Sequence, residues 1–434
     1  MTSDGEKSGL GKGHPDSRSD DAKLDIEATR ERVDDEIQRR LTRKLDIHIL
    51  PFLFGLWFFA QLDRANIGNA NIEGLPEDLK LDGDKFNIAL TIFYVPYVIV
   101  AIPSNLILTN VGAGRYLPSL AIAWGIIDTC MGSVKSYGGL LACRFFLGLC
   151  EGGMIGGMVI YLAMFYRRHQ FSLQVTMFFY TSPFSKTVDG LLTTGFSEIE
   201  FNGYNRWPWV FFIEGAITII FGIIAFLYLP STPATACFLN EEEKRLAIHR
   251  MTLDFHHSDD TDNTEDDTFS WHWVRLAILN PNACLCGISN FLIITPTYSY
   301  GLFLPTVIKA LDYSRVTAQL FTVPPNALGF LTTLSASYYS DRLRLRSPFM
   351  LSGLVVTIIG YAMLIAAPVH RPGISYTGTF FVAAGIFSVT PIIMAWLANN
   401  LRPHYVRATG NGFQITMANF SAFVGTFAYL KKDA

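Results

Sequence analysis

The chain has 434 residues, 50% of them apolar and only 16% charged, with a formal net charge of −3. Soluble proteins carry about 25% charged residues, so an ordinary water-exposed globule is a poor description of this composition. The near-balanced charge leaves no basic footprint for nucleic acid, which is not expected as a partner.

Residues 1–46 form a polar tail dense in charge, and its start, "MTSDGEKSGLGKGHPDSRSDD", is predicted to be disordered. The tail has no apolar stretch that could act as a cleavable signal, so the first hydrophobic segment is expected to serve as both targeting signal and membrane span. Charge-free stretches then recur at 86–114, 276–308, 316–340, 347–369, 372–401 and 408–430. A run of ~18 or more apolar residues with few charges reads as a transmembrane helix.

Eleven spans are predicted, at 47–67, 86–108, 117–134, 137–161, 173–195, 207–229, 283–305, 316–338, 348–367, 374–398 and 409–430. The longest hydrophilic linker, 231–275, contains a helix-like stretch, "NEEEKRLAIHRM", and an acidic run, "HHSDDTDNTEDD". His256 and His257 beside those acids raise the question of metal, but a solvated linker is the expected reading. Cys284-x-Cys286 has no matching His or Cys cluster, and no metal or cofactor is expected. The predicted architecture is an all-α integral membrane protein. It has a bundle over 47–230, the cytoplasmic linker 231–275 and a second bundle over 276–434, as in folds built from repeated halves.

Basic residues set the expected orientation. "RRLTRKLD" at 39–46, Arg115, "YRRH" at 166–169, "DRLRLR" at 341–346, Arg402 and Arg407 share one side, and the tally is twelve Lys/Arg there against seven opposite. The positive-inside rule places the N-terminus in the cytoplasm.

Against this background Asp63, Arg64, Asp128, Arg144, Glu151, Lys186, Asp189 and Glu214 lie inside or near the ends of spans, all in the first half. Ionisable residues at such depth face a protein interior or a cavity and mark functional sites by default; a static pair locking two helices is the alternative. In "LACRFFLGLCEGGMIGG" (141–157), Arg144 and Glu151 are seven residues apart, about 20° around a helix and roughly 10 Å along it. They share a face but are too far apart to pair, so something else must fill the gap. Gly148, Gly152 and Gly156 form a ridge that lets a neighbouring helix approach. Asp63 and Arg64, in "AQLDRANIGNAN" (60–71), point about 100° apart. One can face a cavity and the other a neighbouring helix, at a depth similar to Arg144. Arginines there would attract a carboxylate or phosphate. Glu151, among apolar neighbours, is suited to exchanging a proton near neutral pH.

These residues give the sequence a resemblance. "LDRANIGNA" (62–70), "RFFLGLCEGG" (144–153), "RWPWVFFIEG" (206–215), "GLFLPTVIKAL" (301–311), "LFTVPPNALGF" (320–330) and "SDRLRLRSP" (340–348) resemble, in register, motifs of fungal major facilitator transporters of the anion:cation symporter family, which includes allantoate and nicotinate permeases. The likeness covers nearly all of residues 41–434, and a first copy of the Asp-Arg loop motif has decayed to "VGAGRYLP" (111–118). The resemblance implies the major facilitator fold with two pseudo-symmetric bundles. It also implies proton-coupled uptake of a small organic anion by alternating access, in a monomer of the plasma membrane. Asp63 and Glu151 would carry protons, and Arg64 and Arg144 would bind the substrate, with Arg64 at the anion site and Arg144 linking the two. Asp341 and Arg342 would belong to a cytoplasmic gate.

Two features depart from the family pattern. Helix 5 carries "SPFSKTVDGLL" (182–192), where Lys186 and Asp189 at i,i+3 can pair with each other or face the cavity. The chain also ends at "FAYLKKDA", where a twelfth helix is expected, which suggests a truncated product. The alternative function is a non-transporting paralogue or nutrient sensor that keeps the fold. An enzyme is not expected, because nucleophile-elbow, phosphate-loop and zinc-helix patterns are lacking.

Overall fold

A computed structural model describes residues 17–166, 168–196, 207–256, 275–276, 279–309, 315–343, 345–366, 372–400 and 404–426. The described residues are helical almost throughout. The first bundle contains α1 (Ser17–Ile72), the short α2 (Leu75–Leu79), α3 (Lys85–Val111), α4 (Ala113–Met131), α5 (Tyr137–Glu151), α6 (Met154–Phe165), α7 (Arg168–Phe196) and α8 (Trp207–Tyr228). A connecting helix, α9 (Glu241–His256), follows. The second bundle contains α10 (Pro281–Lys309), α11 (Arg315–Leu320), α12 (Val323–Leu343), α13 (Ser347–Ala366), α14 (Pro372–Asn400) and α15 (His404–Thr426). The acidic stretch 257–267, with His257, lies outside the described residues, as does the chain end beyond 426.

Helix occupies every stretch expected to span, although the last expected span runs past the described residues. By length and composition five segments among the described residues are apolar enough to cross a membrane: Ile37–Ile72, Tyr137–Phe165, Trp207–Tyr228, Ser347–Ala366 and Gly373–Leu397. Long helices such as α7 and α10 are more polar, and both contribute side chains to the space between the bundles.

The first helix begins well before the span expected from residue 47. It runs unbroken from Ser17, so residues 17–21 of the stretch expected to be disordered are helical. No Gly or Pro lies between 17 and 50. Leu41, Leu45, Ile49, Leu53 and Leu56 follow at helical spacing and are all fully buried. The core stripe therefore begins while the sequence is still rich in charge. Lys44 on this arm bonds Glu243 of α9 at 2.5 Å, tying the linker helix to the bundle.

Lipid tails are as apolar as leucine, so packing between membrane helices relies on close fit at small residues. Gly148 of α5 and Gly152 just after it lie against the α3 backbone at Phe93 and Tyr97, where an added Cβ would overlap the carbonyl oxygens. The helix ends at Glu151, and a turn through Gly152 and Gly153 separates it from α6.

The bundles meet at the end away from the α1 arm. Asn71 Nδ2 donates to Thr306 Oγ1 at 3.2 Å, and Lys309 Nζ donates to the Ile72 carbonyl at 3.2 Å. Thr91 and Thr426 share a hydroxyl bond of 2.8 Å. Gly68 packs against the Leu302 backbone and Gly190 against Thr322, so α1, α3 and α7 are each bound to the second bundle there.

Candidate functional site

A cavity of about 180 Å³ lies between the bundles, lined by α1, α3, α6, α7, α10, α14 and α15. Its walls are mostly aromatic and aliphatic, including Trp57, Tyr94, Phe178, Tyr298 and Phe387. Its charged lining residues are Arg64 and Lys186.

Helical geometry separates the adjacent Asp63 and Arg64. Asp63 turns away from the cavity into the first bundle, where its Oδ2 accepts a hydrogen bond from Trp124 Nε1 of α4 at 2.9 Å. Arg64 turns into the cavity. Its Nε donates to Glu151 Oε2 at 2.6 Å, joining α1 to the last residue of α5. Glu151 is fully buried, whereas the Arg64 side chain keeps 11% of its surface exposed. The guanidinium carbon sits 4.7 Å from the Tyr97 ring centroid and 5.3 Å from that of Trp57, so aromatic faces share the cation with the carboxylate. Arg64 Nη2 and Glu151 Oε1 have no hydrogen-bond partner among the described residues. The pair is thus half-engaged and can accept another polar group.

Arg144 lies behind this pair rather than on the cavity. It is 2% exposed, and its Nε and Nη2 have no hydrogen-bond partner among the described residues. Asp128, Glu151 and Asp63 are all within its electrostatic reach. The bonded partner of Glu151 is Arg64 from another helix, not Arg144 on its own. Glu214 on α8, also buried, completes this acidic interior.

Of the two alternatives for Lys186 and Asp189, a local pair or a place at the cavity, no direct ion pair between them is found among the described residues, although they stay within electrostatic reach. Asn69 Nδ2 donates to Asp189 Oδ1 and Oδ2, at 2.8 Å each. Thr193 Oγ1 adds a third contact to Asp189 at 3.3 Å. An amide from α1 thereby holds the carboxylate inside the first bundle. Lys186 extends the other way, with Nζ 5.1 Å from the Phe387 ring centroid on α14.

Residues 53–426 match the profile described as Major Facilitator Superfamily. The chain belongs to the Major Facilitator Superfamily. Its curated relatives in this superfamily include an uncharacterized transporter of Schizosaccharomyces pombe, 31% identical over 93% of this chain and 79% of that protein. A major facilitator-type transporter of Emericella nidulans is 30% identical over 92% of this chain and 80% of the relative. The high-affinity nicotinic acid transporter of Saccharomyces cerevisiae is 29% identical over 96% of this chain and 79% of its own. Among solved structures, that of a D-xylose-proton symporter covers 89% of this chain and 89% of its own with a TM-score of 0.67 at 15% identity, a likeness of fold. The chain is therefore a transporter of helical membrane-protein type.

In this major facilitator chain Asp341 and Arg342 end α12. Asp341 Oδ1 lies 3.6 Å from Arg346 Nη2, and Arg346 Nη1 reaches the Ala395 carbonyl of α14. Arg342 Nη1 donates to Tyr338 hydroxyl at 3.1 Å, one turn back on its own helix. These bonds run within the second bundle, while Tyr180 of α7 in the first bundle lies within electrostatic reach of Asp341. Sequence reasoning did not find Trp124, Asn69, Thr193 or Tyr97 as partners of the charged residues. Each is an ordinary helix residue in the sequence, and only its position opposite a charge distinguishes it.

Proposed function

We propose that this major facilitator protein takes up a small organic anion together with protons by alternating access. Its setting would be the plasma membrane, with the N-terminus in the cytoplasm and a monomer as the working unit. The observation that carries the reading is the Arg64–Glu151 pair, a cavity arginine bonded at 2.6 Å to a fully buried carboxylate. Glu151 can hold either the Arg64 guanidinium or a proton. When it takes a proton, the guanidinium is released to bind a substrate carboxylate in forked geometry. Loss of the anion restores the pair and expels the proton. Anion and proton then travel together because they compete for, or vacate, the same two groups.

Asp63 and Arg144 act behind the pair in this reading. Arg144 lies within electrostatic reach of Asp63, Asp128 and Glu151, and so connects the two proposed proton carriers. The inter-bundle contacts of Asn71, Lys309 and Thr91 correspond to a closed outer end. The name of the nicotinic acid transporter relative, at 29% identity, supports a carboxylate as substrate.

The test is uptake into proteoliposomes of a panel of labelled carboxylates, with and without an inward proton gradient. The expected result is gradient-driven accumulation of at least one acid, collapsed by a protonophore. Accumulation of neutral solutes alone, or of acids regardless of the gradient, would reject the reading.

A further inference from the structure

The cavity presents two cations in different conditions. Arg64 is already held by Glu151. Lys186 has no hydrogen bond or direct ion pair among the described residues; Asp189, one turn away, stays within its electrostatic reach but is hydrogen-bonded to Asn69 and Thr193. Its ammonium rests over the face of Phe387. The opposing α10 position is Gly301, where any Cβ would overlap Lys186 Nζ. The lysine tip thus crosses from the first bundle to a slot in the second, shaped by a glycine and an aromatic ring.

We propose that Lys186 is the cation that first recruits the substrate anion, and that this anion is a planar aromatic carboxylate. This rests on the anion-transport reading above and names its substrate class. A cation near an apolar wall favours a counter-ion strongly, since little water competes for it. Lys186 is available while Arg64 is still engaged, so the anion meets Lys186 first and Arg64 after Glu151 lets go. The rest of the ligand must match the walls. Phe387 offers a ring face beside the ammonium, Phe178 lines the same cavity, and Tyr298 and Trp57 offer more ring surface towards Arg64. Offset or edge-to-face contacts with these rings favour a flat aromatic body over an aliphatic chain. Because Lys186 belongs to α7 and touches α10 and α14, an anion bound to it contacts both halves that must move.

The test uses the purified full chain in detergent and reads ligand-induced thermal stabilisation. The probes are benzoate and nicotinate, their neutral amides benzamide and nicotinamide, and the aliphatic acid cyclohexanecarboxylate. The two aromatic acids should stabilise the wild-type protein and the amides should not. Lys186→Gln should raise the half-saturating acid concentration about tenfold or more, the loss of one charge-assisted hydrogen bond. Lys186→Arg should keep affinity within a few fold. Unchanged melting of both unliganded variants shows that they fold. Equal acid affinity in Lys186→Gln and wild type would overturn the role of Lys186 while leaving anion binding intact. Cyclohexanecarboxylate binding as tightly as benzoate would overturn the aromatic class. If no acid stabilises the wild type, this inference falls, and the broader reading is judged separately by the carboxylate uptake panel.

Discussion

Arg64 donates to Glu151 across 2.6 Å although 87 positions separate them in sequence. Glu151 ends α5, where Gly152 turns against the Tyr97 backbone, and the Tyr97 ring in turn lies 4.7 Å from the Arg64 guanidinium. One close helix approach therefore places the carboxylate, the arginine and the ring together. Replacing Glu151 with Gln keeps shape but removes the exchangeable charge. Glu151→Gln is expected to abolish proton-driven accumulation while substrate exchange continues. Parallel uptake and counterflow assays decide it; accumulation equal to wild type at every pH would remove Glu151 from coupling.

Arg64→Lys preserves the positive charge and loses the fork that can hold Glu151 with one edge and a substrate with the other. The expected loss is roughly 10–100-fold in substrate affinity, the scale of one charge-assisted hydrogen bond. Competition binding measures it, and affinity within twofold of wild type would take Arg64 out of the anion site.

Arg144 compensates several buried carboxylates at once. Arg144→Ala leaves Asp128, Asp63 and Glu151 without it, at an expected cost of about 3–5 kcal/mol. Asp128→Asn in the same chain should recover part of that loss, because its carboxylate is the first to lose compensation. Melting temperatures of the single and double variants test the coupling, and strict additivity would contradict it.

The inter-bundle bond between Asn71 and Thr306 predicts a cross-link. With Asn71→Cys and Thr306→Cys combined, oxidation should join α1 to α10 and stop transport, and reduction should restore it. Gel mobility and uptake are followed on one sample. Full transport by the cross-linked protein would show that this end need not open.

Glu243 gives a pH effect outside the membrane. Its bond from Lys44 holds the carboxyl below the usual carboxylate range. A group depressed in this way contributes stability above its unfolded value, near ~4.3, and loses it as pH falls through the folded value. The Lys44 side chain is 41% exposed, so solvent screening limits the contribution to about 0–1 kcal/mol. Hydrogen exchange in α9 should accelerate, beyond the intrinsic change in exchange rate, as pH falls from about 5 through that lower value. Glu243→Gln should show the faster exchange already at neutral pH.

The sequence by itself determined the class of molecule: long charge-free helices, a polar linker between two groups of them, and charges confined to the first group. Helical periodicity also fixed relations within one helix. Asp63 and Arg64 had to diverge, and Arg144 and Glu151 had to share a face with a gap between them. What lies across from a side chain depends on the approach of another helix, and only the tertiary structure decided that. It put Arg64 on Glu151, Trp124 against Asp63, and Asn69 on Asp189, leaving Lys186 to the cavity. The physical reason is that an i,i+3 pair is worth only a few tenths of a kcal/mol on an exposed helix. An amide held rigidly against a buried carboxylate by neighbouring helices outweighs it, and the helix's own sequence carries no record of that amide.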